Sequence, residues 1–228
     1  MIRAYYDLAK PRMVYGNLLV AAAGFAYASQ AIDWVLLLWT LAGLGCVIAS
    51  ACVFNNYFDR GIDAKMERTK HRALASGKIP NRNALLLGAV LLALGIKLLL
   101  LFTNLLTFEV ALAGFLVYVL VYTPLKPCSP YALFVGAVAG ATPPVVGYVA
   151  VTNTIDTTAW LFFLFLFVWQ LPHFLAIAVY RHDEYAAAKV PLFMRGPYTP
   201  KQKKLARIIF YLSLVVLLGW CVALMVHK

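Results

Sequence analysis

Seven apolar runs of near-spanning length constrain the fold of this chain more than any other feature. Each approaches the roughly 20 residues that a helix needs to cross a bilayer. Only 13% of the residues are charged, about half the share found in soluble domains. The sequence therefore predicts an all-α, polytopic membrane helical bundle, forming a single domain over residues 1–228. The runs lie at about 13–29, 34–56, 83–102, 106–122, 131–151, 159–179 and 206–226.

The lysines and arginines distinguish the two ends of this bundle. All 20 except Lys97 and Lys228 lie before the first run, in 60–82, at Lys126 or in 181–207, which alternating helices place on one side. Because positively charged loops stay in the cytoplasm, we predict a cytoplasmic N-terminus. We also predict that the first run is a retained helix and not a cleaved signal peptide. The net charge of +11 then reflects topology, anionic lipid or an anionic substrate, and not nucleic acid.

The densest charge in the sequence follows the second run. Asn55, Asp59 and Asp63 recur at steps of four, which on a helix places them in a narrow stripe about 12 Å long. Two carboxylates and an amide oxygen are hard ligands that suit Mg²⁺ with substrate phosphates, and not zinc. A helix end emerging into water also explains the charges, but it does not require the four-residue phasing.

A cluster of cations comes directly after this stripe. Arg68, Lys70 and Arg72 alternate along the chain, which suits an extended loop with its cations on one side. Arginine makes bidentate contacts with phosphate and lysine acts as a point charge. Contact with anionic lipid explains much of this charge, whereas cations beside carboxylates favour a metal–polyphosphate ligand.

A second polar segment lies at 169–185. Gln170 and His173 are polar groups at membrane depth and need partners. His173 is a candidate general base, iron ligand or hydrogen-bonded core histidine, and the residues alone favour the last. Asp183 and Glu184 either hold a second metal ion or pair with cations of the loop.

The segments 118–122 and 136–147 each allow a structural and a functional interpretation. Tyr118 and Tyr122 lie on one helix face, where an interfacial aromatic belt is common, but inside a cavity they would shield a carbocation. The segment 136–147 is rich in glycine and proline. It indicates either close helix packing, which we favour, or a kink that widens a cavity.

Five segments together resemble the UbiA-type intramembrane prenyltransferases, and most closely their haem O synthase branch, the protohaem IX farnesyltransferases. The superfamily pattern N-x-x-x-D-x-x-x-D matches Asn55, Asp59 and Asp63. The resemblance runs from about residue 8 to 195. The branch patterns that match are M-x-R-T-x-x-R at 66–72, Y-T-x-x-K at 122–126, A-x-P-P-x-x-G at 141–147 and W-Q-x-P-H-F at 169–174.

The resemblance implies an enzyme that transfers farnesyl from farnesyl diphosphate to a vinyl group of haem b, giving haem O, with Mg²⁺ as cofactor. It implies that Asn55, Asp59 and Asp63 bind the metal. It assigns the catalytic roles to Asp59, Asp63, Arg68 and Arg72. It implies substrate-binding roles for Lys70, Tyr122, Lys126, His173, Asp183 and Glu184.

The resemblance also implies a location and partners. We expect a multi-pass protein of a bacterial or archaeal inner membrane, in contact with membrane lipid, with its active site facing the cytoplasm. Subunits of a terminal oxidase are expected as assembly partners.

The sequence departs from the family pattern at several points, among them its helix count and Lys189. The family usually has nine spanning helices and we find seven, so the chain is expected to be short at its C-terminus. Lys189 stands where the branch has glycine in A-G-x-P. Two alternatives stay open: a prenyltransferase of the same fold that acts on a quinone precursor or another aromatic or lipid acceptor, and a non-catalytic membrane protein that binds haem or assists oxidase assembly.

Overall fold

Helices make up the architecture of this protein. The computed structural model describes residues 1–194 and 196–226, and within them it contains no strand. The all-α prediction is therefore confirmed for this part of the chain. The helices are α1 Ile2–Leu8, α2 Pro11–Ala28, α3 Trp34–Asp63, α4 Asn81–Phe102, α5 Leu105–Leu125, α6 Ala132–Thr152, α7 Thr157–Tyr180, α8 His182–Ala187 and α9 Pro200–Val226.

The seven predicted apolar helices all form, and six of them are long and apolar enough to cross a membrane within the described residues: α3, α4, α5, α6, α7 and α9. The helix α2, which we also expected to span, is not among them. It is 18 residues long and carries Arg12 and Asn17 near its start, which lowers its hydropathy. The count of spanning candidates is thus six, with α2 packed among them.

Three side-chain caps begin helices at the end of the bundle opposite the charged loops. Asp33 accepts hydrogen bonds from the backbone N–H groups of Val35 and Leu36 at the start of α3. Asn104 and Asp156 cap α5 and α7 in the same way. These caps satisfy backbone donors that would otherwise have no partner, so each helix begins sharply at this end.

Two helices depart from regular geometry near the charged end. Residues Val117–Tyr122 within α5 form a π-helical turn, a feature that often marks functional sites. The helix α6 is interrupted at Ala141 and resumes with Pro143 and Pro144 in its first turn, where proline costs no hydrogen bond. The helix therefore contains a break as well as the close packing that we favoured, which Gly147 makes against α2.

The two long loops of the charged end meet over the bundle, as their shared side predicts. Met66 is buried against Ala188 and Val190. Arg68 forms an ion pair with Glu184 at 3.1 Å. The acidic stripe on α3 is thereby enclosed by a second segment that lies more than 100 residues away in sequence.

Lys189 occupies a backbone position that suits glycine. Its φ is 57°, in the left-handed region. Its N–H bonds to the carbonyl of Ala186, and the N–H of Val190 bonds to that of Tyr185, both at 3.0 Å. These two bonds form the Schellman motif that ends α8, in which glycine is preferred. Lys189 thus replaces the glycine of A-G-x-P, but the chain keeps the same turn at the end of α8.

Replacing Lys189 with glycine should stabilise the protein by about 1 kcal/mol, because the left-handed conformation strains a residue with a Cβ. Thermal and chemical unfolding in detergent would measure the change. The neighbouring Ala188→Gly variant is the matched control, since Ala188 has an ordinary φ of −85° and glycine there should lower stability. A Lys189→Gly protein that unfolds no later than the parent contradicts the prediction.

Candidate active site

The acidic stripe is buried at the charged end of α3. Asn55, Asp59 and Asp63 are only 2%, 2% and 1% exposed. The helix α3 continues to Asp63, beyond the apolar run that ends near residue 56, so the four-residue spacing does place all three on one helix face. Buried carboxylates need compensating partners, and the structure supplies one for each.

Three cations from different parts of the chain contact this stripe. Lys126 donates to Asp59 Oδ2 at 2.6 Å. The Arg72 guanidinium contacts both carboxylate oxygens of Asp63, at 3.0 and 2.7 Å. Lys10 donates to the Asn55 amide oxygen at 2.5 Å. Each residue of the stripe therefore accepts from a cation, which comes from the α1–α2 turn, the 64–80 loop or the end of α5.

The environment shifts the pKa of both lysines, in opposite directions. Burial, with the nearby charges of Arg72 and Lys126, lowers the pKa of the Lys10 ammonium to about 8. Burial alone would also lower the pKa of Lys126, but its contacts with Tyr122 and Asp59 raise it above the usual lysine range. Lys126 is thus held in its charged form beside Asp59.

The stripe is also tied to the π-helical turn of α5. Asn55 donates through Nδ2 to Thr123 Oγ1 at 3.1 Å, and the Thr123 hydroxyl donates to the Tyr118 carbonyl at 2.8 Å. The rings of Tyr118 and Tyr122 stack with centroids 5.1 Å apart, and both line a cavity next to the stripe. The two tyrosines therefore form an aromatic wall inside the bundle and not a belt at its surface.

The remaining charged candidates take different positions. Arg68 lines the cavity and pairs with Glu184, which also pairs with Arg181 at 3.2 Å. The Asp183 side chain is 77% exposed and pairs with Lys203, so the structure does not bring it to the stripe. Lys70 pairs with Glu67 on its own loop at 2.6 Å and does not line the cavity. Roles for Lys70 and Asp183 at this site stay predictions.

The cavity itself extends from the stripe into the apolar interior of the bundle. Its volume is about 940 Å³, at the upper end of the usual range for ligand sites. Polar groups, including Lys10, Asn55, Asp63, Arg72 and Lys126, line one end. Helices α2, α3, α5, α6, α7 and α9 contribute the mainly apolar remainder, with Leu44, Val47, Phe115, Leu166, Phe210 and Leu214 in its wall.

Two polar residues of the second segment also line this cavity. Gln170 is 6% exposed and donates to the carbonyls of Leu166 and Ala137. A Cβ at residue 140 would lie 2.1 Å from Gln170 Oε1, so any larger residue there would displace the Gln170 amide. His173 is 9% exposed and bonds through Nδ1 to Ser213 Oγ at 2.7 Å. Both polar groups at membrane depth are thus supported by neighbouring helices.

The donor set of the stripe fits Mg²⁺. Among residues 1–194 and 196–226, no three His, Cys, Asp or Glu side chains cluster as a metal site, and the stripe offers two carboxylates and one amide oxygen. Mg²⁺ commonly takes one or two carboxylates and completes its octahedron with water and substrate phosphate.

Sequence reasoning missed two residues of this site. A lysine before an apolar run is typical of any cytoplasmic helix end, so nothing singled out Lys10, whose left-handed backbone (φ 50°) starts α2 beside Asn55. Ser213 lies within the apolar run of α9. An isolated hydroxyl in such a run was the available signal, since polar side chains at membrane depth need a partner.

The fold and the site define an all-helical integral membrane protein with an acid-and-base centre at one end of an apolar cavity. Residues 17–228 match the model of the UbiA prenyltransferase family. The chain belongs to the UbiA prenyltransferase family. It is 44% identical to protoheme IX farnesyltransferase 2 of Shewanella loihica over 218 residues, 95% of this chain and 70% of that protein. It is 45% identical to protoheme IX farnesyltransferase of Cronobacter sakazakii over 194 residues, 84% of this chain and 66% of that protein.

Solved structures support the same fold at lower identity. A digeranylgeranylglyceryl phosphate synthase superposes with a TM-score of 0.69 at 21% identity, over 94% of this chain and 75% of that one. A UbiA homologue from Archaeoglobus fulgidus, solved with GPP and Mg²⁺, has a TM-score of 0.68 at 17% identity, over 94% and 86%. Both are similar to this chain in fold.

Proposed function

We propose that this protein transfers a farnesyl group from farnesyl diphosphate to a vinyl group of haem b. In this proposal Asn55, Asp59 and Asp63 bind Mg²⁺, and Arg68, Arg72 and Lys126 hold the diphosphate. The family membership supports prenyl transfer, and the names of the two bacterial relatives support the donor and the acceptor.

The observation that carries the proposal is the charge at the mouth of the cavity. Two buried carboxylates face three cations, Lys10, Arg72 and Lys126, and Arg68 lines the same cavity. A centre with more cations than acids attracts an anion, while its carboxylates attract a divalent metal. A metal–diphosphate has both charges, and the adjoining apolar cavity is suited to a prenyl chain.

These residues supply the chemistry of ionisation. The C1–O bond of the donor breaks and diphosphate leaves with the bonding electrons. Mg²⁺, when bound, neutralises negative charge on the leaving group. Arg72 and Lys126 add positioned hydrogen-bond donors that stabilise the same developing charge. Tyr118 and Tyr122 line the cavity, where aromatic rings stabilise an allylic cation, and the apolar walls exclude water from it.

The second half of the reaction forms the new bond. The terminal carbon of the vinyl group attacks C1 of the farnesyl cation. The positive charge moves to the neighbouring vinyl carbon, a water molecule adds there, and one proton is released. A hydroxyethylfarnesyl side chain results, which is the difference between haem b and haem O.

We further propose that the charged end faces the cytoplasm of a bacterial cell, because the lysines and arginines concentrate there. Cys128 is exposed at this end. A thiol reagent that does not cross membranes, applied to sealed vesicles of known orientation, would show which side of the membrane Cys128 faces.

The proposal predicts haem O as product. Purified protein in detergent should convert haem b and farnesyl diphosphate in the presence of Mg²⁺, and chromatography with mass detection would identify the new haem. EDTA should abolish the conversion. Released diphosphate should equal the haem O formed.

Other outcomes separate the alternatives. If diphosphate is released and a quinone precursor is farnesylated, but no haem O forms, the acceptor is the quinone precursor and the haem assignment is overturned. No diphosphate release from well-folded protein with any of these acceptors overturns the enzymatic proposal.

A further inference from the structure

Two residues of the W-Q-L-P-H-F segment bind the same residue on α9. Trp169 donates from Nε1 to the Ser213 carbonyl at 2.9 Å, and His173 Nδ1 bonds to the Ser213 hydroxyl at 2.7 Å. Both side chains lie on α7, so Ser213 joins α9 to α7 through two hydrogen bonds. It has no part in the diphosphate end of the cavity, so this contact needs its own explanation.

The hydrogen bonds at Ser213 fix the tautomer of His173. The Ser213 hydroxyl donates to the Phe210 carbonyl at 2.7 Å. A hydroxyl has one hydrogen and accepts with its lone pairs, so His173 Nδ1 must be the donor in the other bond. The neutral imidazole then carries its hydrogen on Nδ1 and a free lone pair on Nε2.

In the described part of the chain, the Nε2 atom is the unpaired end of the His173 ring, and the residue lines the cavity. Nε2 has no hydrogen-bond partner among the residues that the structure describes. In the same part of the chain, no fully buried side-chain nitrogen or oxygen lacks a partner. Nε2 is therefore accessible, although the residue is only 9% exposed, and His173 lines the cavity.

Aromatic rings hold the imidazole in this orientation. Trp169 stacks on it with centroids 5.0 Å apart and a 24° interplanar angle. Phe210 lies on it at 4.7 Å. With two rings and one hydrogen bond, the His173 side chain is preorganised before any ligand binds. A histidine whose Nδ1–H is tied to an oxygen and whose Nε2 is free has the arrangement of a metal-ligating histidine.

The surroundings suit a flat, mainly apolar acceptor with acidic groups at one edge. Phe174, Ile177, Leu214 and Leu217 line the cavity around His173. Arg181 lines it too, two turns further along toward the charged end, about 12 Å in helix rise. A porphyrin has this shape and carries both an iron and carboxylates.

We propose that His173 ligates the iron of the haem acceptor through Nε2, and that Ser213 is the positioning residue that directs this lone pair into the cavity. This inference rests on the proposed function. It assigns the haem to the α7–α9 side of the cavity, with its carboxylates toward Arg181.

Absorption and resonance Raman spectra test the ligation without turnover. Titrating purified protein with haem b, with no farnesyl diphosphate present, should give the spectrum of histidine-ligated haem. The His173→Ala variant should lose this spectrum, and free imidazole should restore it. A His173→Ala protein with the parent spectrum overturns the proposal, as does a folded parent that shows no histidine ligation.

Ser213 gives the second test. Loss of a residue that orients a metal ligand typically costs 10–100-fold in affinity, so Ser213→Ala should weaken haem binding at least about tenfold. Ser213→Thr retains the hydroxyl and should bind nearly as the parent does. Equal affinity in the alanine and parent proteins overturns the positioning role. Leu212→Ala, whose side chain is exposed on the same helix, controls for general damage to α9.

The two proposals fail separately. A histidine-ligated haem in a protein that forms no haem O overturns the proposed function and leaves the ligation standing. Haem O formation by His173→Ala at the parent rate, with an unchanged haem spectrum, overturns the ligation and leaves the function standing.

Discussion

Asp59→Asn and Asp63→Asn should each lose at least about 10²-fold in kcat for haem O formation, a loss of the size seen when one charge-stabilising group is removed. Asparagine keeps the shape and an acceptor oxygen but removes the negative charge. Lys126 and Arg72 then lose the carboxylates that they contact, and the metal loses a charged ligand. Steady-state assays over a range of Mg²⁺ concentrations would measure the effect.

The matched control is the same substitution at the other end of the same helix. Asp33 caps α3, and asparagine is an equally good N-cap, so Asp33→Asn should retain parent activity and stability. If Asp59→Asn and Asp63→Asn both turn over at the parent rate, the metal assignment is wrong. If Asp33→Asn loses as much activity as the two stripe variants, the loss comes from damage to α3 and not from the stripe.

The acidic stripe and its helix could be predicted from the sequence because their signals are local. Asn55, Asp59 and Asp63 lie within three turns, and the spacing alone fixes their common face. The positive-inside rule assigns the two charged loops to one side, and the Arg68–Glu184 ion pair joins them there.

The partners of these residues could not be predicted in the same way. Lys10 reaches Asn55 across 45 residues, and Ser213 reaches His173 across 40. Such contacts depend on how helices pack, and in a membrane the apolar pattern marks which segments span without fixing which helices touch. The π-helical turn in α5 lies beside the contact between Thr123 and Asn55, and no periodicity in the sequence indicated it.

Gly147→Ala should lower the free energy of unfolding by about 3 kcal/mol, the upper end of the typical cost of overpacking, because the neighbour is rigid backbone. A Cβ at residue 147 would lie 1.9 Å from the Ala21 carbonyl oxygen and 2.9 Å from the Phe25 nitrogen. Gly24 makes the reciprocal approach, where a Cβ would lie 2.2 Å from the Pro144 carbonyl oxygen. The backbones of α2 and α6 thus touch, and neither can give way as a flexible side chain does.

Gly219→Ala on α9 is the control, because a Cβ there meets nothing within 4 Å and alanine favours a helix over glycine by up to about 1 kcal/mol. The thermal unfolding midpoints of the two variants in detergent should therefore shift in opposite directions.

The clash at Gly147 should also affect the active site. Since α2 begins beside Lys10, forcing it away from α6 should also withdraw Lys10 from Asn55 and slow farnesyl transfer in the protein that still folds. Equal midpoints for the two variants would contradict the packing argument, and reduced stability with undiminished transfer would show that the α2–α6 contact supports the fold without positioning Lys10.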